Sequence, residues 1–213
     1  MNDPILHLMG YTPESPTLEA AFKGNMPKNP ERFTITMDDI VEMFLRLNNL
    51  NPAPGPADAK PVDIVIFGCP HATFEEVREV ARLVKGKKVK EGVMLWVQTD
   101  TPSYHMAHHY GDAKVIEEAG GKIYHQTCMG MTPFRHHPPG TVIGTDSFKY
   151  VKLCATFGDH HWIYANPASL IEAAITGVFK PSARWDYWAK PKAMRGANEM
   201  EREIYELPGP FMS

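Results

Sequence analysis

Apolar and polar residues alternate along this chain in two distinct periods. Residues 62–67 (VDIVIF) are apolar except for Asp63 and rich in β-branched side chains, the pattern of a strand buried on both faces. Gly68 ends the run, and Cys69, Pro70 and His71 are expected in a tight turn. Thr73 then reads as a helix N-cap with Glu76 as its capping-box partner. In the helix that follows, Phe74, Val77, Val80, Ala81 and Val84 fall on one face, and Glu75, Arg78, Glu79 and Arg82 on the other. Residues 93–98 (VMLWVQ) predict a second buried strand, with Pro102 at the start of a helix over 103–119 that Gly120-Gly121 closes. Residues 122–125 lead into Gln126, Thr127 and Cys128, a third strand ending in a thiol. A short strand is expected at 141–144, a helix at 148–157 and a last strand at 161–165. Asn166 caps a final helix with Pro167 at its first position, burying Leu170, Ile171, Ala174 and Ile175 and stopping at Gly177. Strands alternating with helices predict an α/β fold: a doubly wound, mainly parallel sheet with helices on both faces.

The flanks read differently. Before residue 35, Thr12, Pro13, Ser15 and Pro16 punctuate a loop, and apolar Ile5, Leu6, Leu8 and Leu18 argue that this arm packs down. Thr36 caps a helix through about Asn48, and LNPAPGPADAKP (50–61) is a linker by composition. This divides the chain into an N-terminal arm, helix and Pro-rich linker (1–61), an α/β domain (62–177) and a C-terminal extension (178–213). The extension is aromatic-rich at 184–188, has a helical pattern at 198–205, and is expected to be a docked tail or a subunit contact.

Composition narrows the class. The 213 residues are 43% hydrophobic and 22% charged, with a net charge of −3, enough for one good core and without the basic excess of nucleic-acid or membrane-surface binders. No apolar run approaches the ~20 residues of a membrane span, and the first ten residues lack the features of a signal peptide. Three cysteines without framework spacing imply reduced thiols and a cytoplasmic location.

Chemistry-bearing residues gather at the expected carboxyl ends of the strands, the edge where open α/β sheets bind ligands. Cys69 and Cys128 are either soft ligands for zinc or an iron–sulfur centre, or small buried hydrophobes; Cys154, in a helix, reads as core. His71 either binds a carboxylate or moves a proton, or it packs and caps. In TDSFK, Lys149 suits a substrate anion and Ser147 can orient substrate or act as an activated base. Asp146 and Ser147 would equally make a helix N-cap. Three His-His pairs (108-109, 136-137, 160-161) are not chelates by themselves, because adjacent side chains diverge. HExxH, a strand-borne GxGxxG and GxxxxGK[ST] are absent from the sequence.

The segments GCPH (68–71), PILHLMGYTPESPTLEAAF (4–22), GKIYHQTC (121–128), GTDSFKY (144–150) and SLIEAAITG (169–177) together resemble the aconitase X family of hydro-lyases. The order matches the family's histidine-and-TPEAPTLEAAF segment, its TC pair and its TNSGK segment, and covers residues 4–177. The likeness is to the second half of the family's large subunit alone. It implies a dehydratase acting on a small hydroxy acid, as the family does on hydroxyproline or phosphomevalonate. It also implies an iron or iron–sulfur centre with Cys69 and Cys128 as ligands and a third cysteine from the missing half. His71 and Ser147 become the catalytic candidates, and Lys149 and His7 the substrate-binding ones. A partner subunit, or a second copy, would complete the site, with no nucleic acid and no membrane involved. Asp146 replaces the family's asparagine and Phe148 a small residue, departures that weigh against the usual anionic substrates. The alternatives are a non-catalytic subunit that kept the fold, or a simple metal- or small-ligand-binding α/β protein.

Overall fold

The computed structural model describes residues 7–29, 33–48, 58–128, 137–153 and 159–181. Expectations for Cys154, for the end of the 148–157 helix and for residues 182–213 lie outside the described residues. The chain divides into two compact units between Thr36 and Met37. In the first, the Leu8 N–H donates to Thr12 Oγ1 at 2.8 Å, and Thr17 caps the short helix α1 (Leu18–Ala21) by accepting from the Ala20 N–H at 3.2 Å.

The second unit starts with α2 (Met37–Asn48) and β1 (Lys60–Pro61). It continues as β2 (Ile64–Ala72), α3 (Phe74–Val84), β3 (Met94–Thr99), α4 (Thr101–Tyr110), α5 (Asp112–Glu118) and β4 (Lys122–His125). Then come β5 (Val142–Thr145), α6 (Phe148–Leu153), β6 (His161–Tyr164), α7 (Pro167–Thr176) and β7 (Val178–Phe179). Five of the strands form one parallel sheet in the order β4-β3-β2-β5-β6, while β1 and β7 make a separate antiparallel pair. The three strands expected at residues 62–66, 93–97 and 123–125 are thus parallel neighbours, with Val65 beside Leu95 and Val97 beside Ile123.

The period of two along β2 separates the core into two faces. Val65 and Phe67 join the larger cluster with Val77, Val80, Ile116, Leu170 and Ala174, supplied by α3, α5 and α7. Ile64 and Ile66 point the other way, onto Ile143 and the buried Tyr150 of α6, with Met94, Trp96 and Trp162 partly buried beside them. The second face contains the buried Tyr150–Gln98 pair, whose hydroxyl donates to Gln98 Oε1 at 2.7 Å.

Three local features differ from the sequence expectation. The helix drawn over 103–119 is two helices, because Gly111 takes φ +85° and terminates α4 before α5 begins. The third strand stops at His125, so Cys128 lies in the loop beyond it. The segment after Gly68 is also not a tight turn. β2 runs on to Ala72, and its pairing with β3 steps from Phe67–Val97 to Ala72–Thr99, so Gly68, Cys69, Pro70 and His71 bulge opposite the single residue Gln98. Gly68 has φ +105°, and a Cβ there would stand 2.0 Å from the Gln98 carbonyl oxygen, so only glycine fits.

Contacts also cross the boundaries drawn from composition. The buried Asn48 side chain closes the sheet edge at β6: its Nδ2 donates to the Tyr164 carbonyl at 3.0 Å and its Oδ1 accepts from the Tyr164 N–H at 2.8 Å. Phe179 of β7 is buried in the larger cluster. Among the described residues, no helix is long and apolar enough to cross a membrane.

Candidate active site

The chain leaves β2 for β3 and β4 on one side, and leaves β5 for β6 on the other. The crevice between the carboxyl ends of β2 and β5 is therefore the switch point of the sheet, where connections diverge and room for a ligand opens. The GCPH bulge forms one wall and Asp146-Ser147 the other. The cleft there has a volume of about 180 Å³ and is lined by Cys69, Pro70, Glu76, Glu79, Asp146 and Ser147, among others.

Ser147 bridges the walls. Its hydroxyl donates to the Cys69 carbonyl, and its Oγ accepts from the Tyr150 N–H at 3.2 Å, which caps α6. The N-cap role and the position in the cleft thus belong to the same side chain. Beside it, Asp146 is largely out of water. Burial, reinforced by the negative charge of Glu76 and opposed by its own backbone N–H, pushes its carboxyl up to about 6. Glu76 itself is held by the cap of α3, accepting from the Thr73 N–H at 2.7 Å. Asp146 was read from sequence only as a cap and as a departure from the family pattern. The signal for more was a carboxylate at the end of a buried strand, where water is excluded.

His71 is exposed at the end of the bulge, and its Nε2–H donates to the Thr127 carbonyl at 2.8 Å. That bond fixes the tautomer, leaving Nδ1 as the acceptor, and ties the Cys69 segment to the Thr127-Cys128 segment. Gln126, at φ +53°, makes the turn out of β4, and its Nε2 donates to Thr101 Oγ1 at 2.7 Å. Cys69 is half-buried and Cys128 exposed, and neither is in a disulfide. Among the described residues no group of three or more His, Cys, Asp or Glu side chains is placed to hold a metal ion. Cys69 and Cys128 are soft donors of the kind an iron or iron–sulfur centre takes, on segments tied by the His71–Thr127 bond, and by themselves they do not complete a shell. Lys149 is exposed on α6 and does not line this cleft. His7 belongs to the first unit.

The aconitase X third domain matches residues 62–176, more than half of the chain. The phosphomevalonate dehydratase large subunit of Methanocaldococcus jannaschii is 32% identical over 123 residues, which is 58% of this chain and 28% of that protein. The cis-3-hydroxy-L-proline dehydratase of Pseudomonas aeruginosa is 26% identical over 175 residues, 82% of this chain and 29% of that protein. The chain therefore spans under a third of the length of these two relatives. In fold it is similar to the holo-form crystal structure of aconitase X from Thermococcus kodakaraensis, with a TM-score of 0.56 and 24% identity over 72% of this chain and 37% of that one.

Proposed function

This chain belongs to the aconitase X family, and on that premise we propose that it supplies one portion of a hydro-lyase site, completed by another polypeptide, that dehydrates a small hydroxy acid. Both relatives described above are named dehydratases, and one is named as a large subunit. The observation that carries the reading is the Ser147–Cys69 bond, which holds two family-like segments together at the switch point of the sheet.

In this reading the reaction removes a proton from the carbon next to the substrate carboxylate, forms a double bond and releases the neighbouring hydroxyl as water. His71 accepts the proton at Nδ1, held in that tautomer by Thr127. Ser147 orients substrate through its remaining lone pair, and Lys149, exposed on α6, is the residue that would bind the carboxylate. Cys69 and Cys128 would hold an iron or iron–sulfur centre, with further ligands from the completing polypeptide; when bound, that centre supplies Lewis acidity toward the leaving hydroxyl. The free thiols accord with a cytoplasmic protein.

A second reading, a non-catalytic subunit, is favoured by one feature: the Ser147 hydroxyl is engaged both as donor and as acceptor within the fold. Tagged chain purified with whatever accompanies it, then assayed anaerobically for dehydration of cis-3-hydroxy-L-proline and phosphomevalonate, separates the two. Turnover that depends on His71 supports the first reading, and a complex that turns over neither substrate supports the second.

A further inference from the structure

A dehydration needs a proton that none of the residues placed so far supplies. Hydroxide is a poor leaving group, so the hydroxyl departs as water only when a proton reaches it, whatever else polarises the C–O bond. His71 Nδ1 takes a proton rather than giving one. The Ser147 hydroxyl directs its hydrogen to the Cys69 carbonyl. A thiol that ligates a metal has no proton left to give.

Three carboxyl groups line the switch-point cleft: Glu76, Glu79 and Asp146. Two of them are engaged as acceptors. Glu76 accepts from the Thr73 N–H at 2.7 Å and from the Thr73 hydroxyl at 3.0 Å. Glu79 takes two hydrogen bonds from Arg82, at 2.7 and 2.6 Å. Asp146 has no ion-pair partner among the described residues. It stands in the wall of this cleft and also of an apolar cavity of about 320 Å³ bounded by Ile40, Val41 and Phe44 of α2 and by Tyr164. No lysine or arginine lines either space. Burial there, with the charge of Glu76 added and its own backbone N–H opposing, pushes the carboxyl up to about 6, where it can both hold and release a proton near neutrality. The Tyr164 phenol, which shares the apolar cavity, is the weaker acid: burial and the charge of Asp146 hold it above its ordinary value.

Resting on the hydro-lyase reading, we propose that Asp146 is the general acid of the reaction, passing its carboxyl hydrogen to the departing hydroxyl of a substrate in the switch-point cleft. His71 Nδ1 takes the hydrogen from the carbon next to the substrate carboxylate, and the electron pair of that C–H bond forms the double bond. The C–O bond breaks with its pair on oxygen, and the proton from Asp146 completes the water. The step leaves an Asp146 carboxylate and a His71 imidazolium. Solvent then returns a proton to the first and removes one from the second, so nothing is oxidised or reduced. The two roles follow from unlike surroundings, since His71 is exposed and Asp146 is held between two cavities.

The test replaces the leaving group. Chloride departs as a stable anion and needs no proton, while loss of the hydrogen next to the carboxylate is common to both compounds. The chain, purified with whatever accompanies it, is assayed on cis-3-hydroxy-L-proline or phosphomevalonate, whichever it turns over. It is then assayed on the analogue with chlorine in place of the leaving hydroxyl. Asp146→Asn should lower kcat for dehydration at least ~100-fold and elimination of chloride by less than about 3-fold. Both rates come from one preparation, so their ratio is insensitive to any fraction that fails to fold. An equal loss on the two compounds would make Asp146 a structural or binding residue and overturn the proposal. Dehydration undiminished in Asp146→Asn would defeat the proposal alone and leave the hydro-lyase reading standing. Wild-type protein that acts on none of these compounds would defeat that reading and the proposal with it.

Discussion

The Ser147 hydroxyl donates its hydrogen bond to the backbone carbonyl of Cys69, 78 residues earlier in the chain. Its oxygen also accepts from the Tyr150 N–H at 3.2 Å. One side chain therefore ties the end of β5 to the bulge of β2 and starts α6. Ser147→Ala removes both bonds and should lower stability by about 1–3 kcal/mol, measured by urea denaturation. A change within experimental error would mean that the bridge does not hold the cleft together.

Gly68 should tolerate no side chain. Alanine there would carry a positive φ and press its Cβ onto the Gln98 carbonyl. Left-handed strain and overpacking together should cost about 2–5 kcal/mol. Gly68→Ala is expected to melt well below the wild type by circular dichroism. An unchanged melting temperature would show that the bulge is not packed as described.

Asp146 makes a signed prediction about pH. Its carboxyl is raised from 3.8 to about 6, so between those values the folded state holds a proton that the unfolded chain has lost. Stability contributed by this group is therefore greatest at low pH and falls as pH rises through that window, by at most about 3 kcal/mol. Asp146→Asn, which cannot ionise, should raise the melting temperature above about pH 6 and have little effect near pH 4. A melting temperature lowered by the same amount at both ends would indicate lost contacts rather than relieved charge.

The sheet was legible because buried parallel strands are written as apolar runs. VDIVIF and VMLWVQ became the central strands β2 and β3, and the Thr73–Glu76 capping box is present as read. The bulge was not legible. Gly68 looked like a strand end because the requirement that preserves it, the approach of Gln98, comes from a residue 30 positions away that no local pattern reveals. Gly111 was missed as a helix stop because the residues around it keep helical periodicity on both sides. In the site, Cys69, His71 and Ser147 were singled out from motifs, and the structure brings Ser147 to the Cys69 carbonyl and His71 to the Thr127 carbonyl. The importance of Asp146 depends on burial between two cavities, and burial of a polar residue is a tertiary property that sequence does not display.

The thiols give a prediction independent of activity. On the hydro-lyase reading, protein purified anaerobically with whatever accompanies it should contain iron, and Cys69→Ser and Cys128→Ser should each lower iron content while leaving the circular dichroism spectrum intact, since Cys69 is half-buried and Cys128 exposed. Iron content unchanged in both variants would remove the two cysteines as ligands.

The most direct measurement is turnover by the chain purified with whatever accompanies it, followed by proton NMR, with cis-3-hydroxy-L-proline as substrate. The account predicts loss of the substrate's carbinol signal and appearance of the dehydrated product, abolished in His71→Ala while the protein stays folded. Wild-type complex that leaves both hydroxyproline and phosphomevalonate untouched, or full activity in His71→Ala, would contradict it.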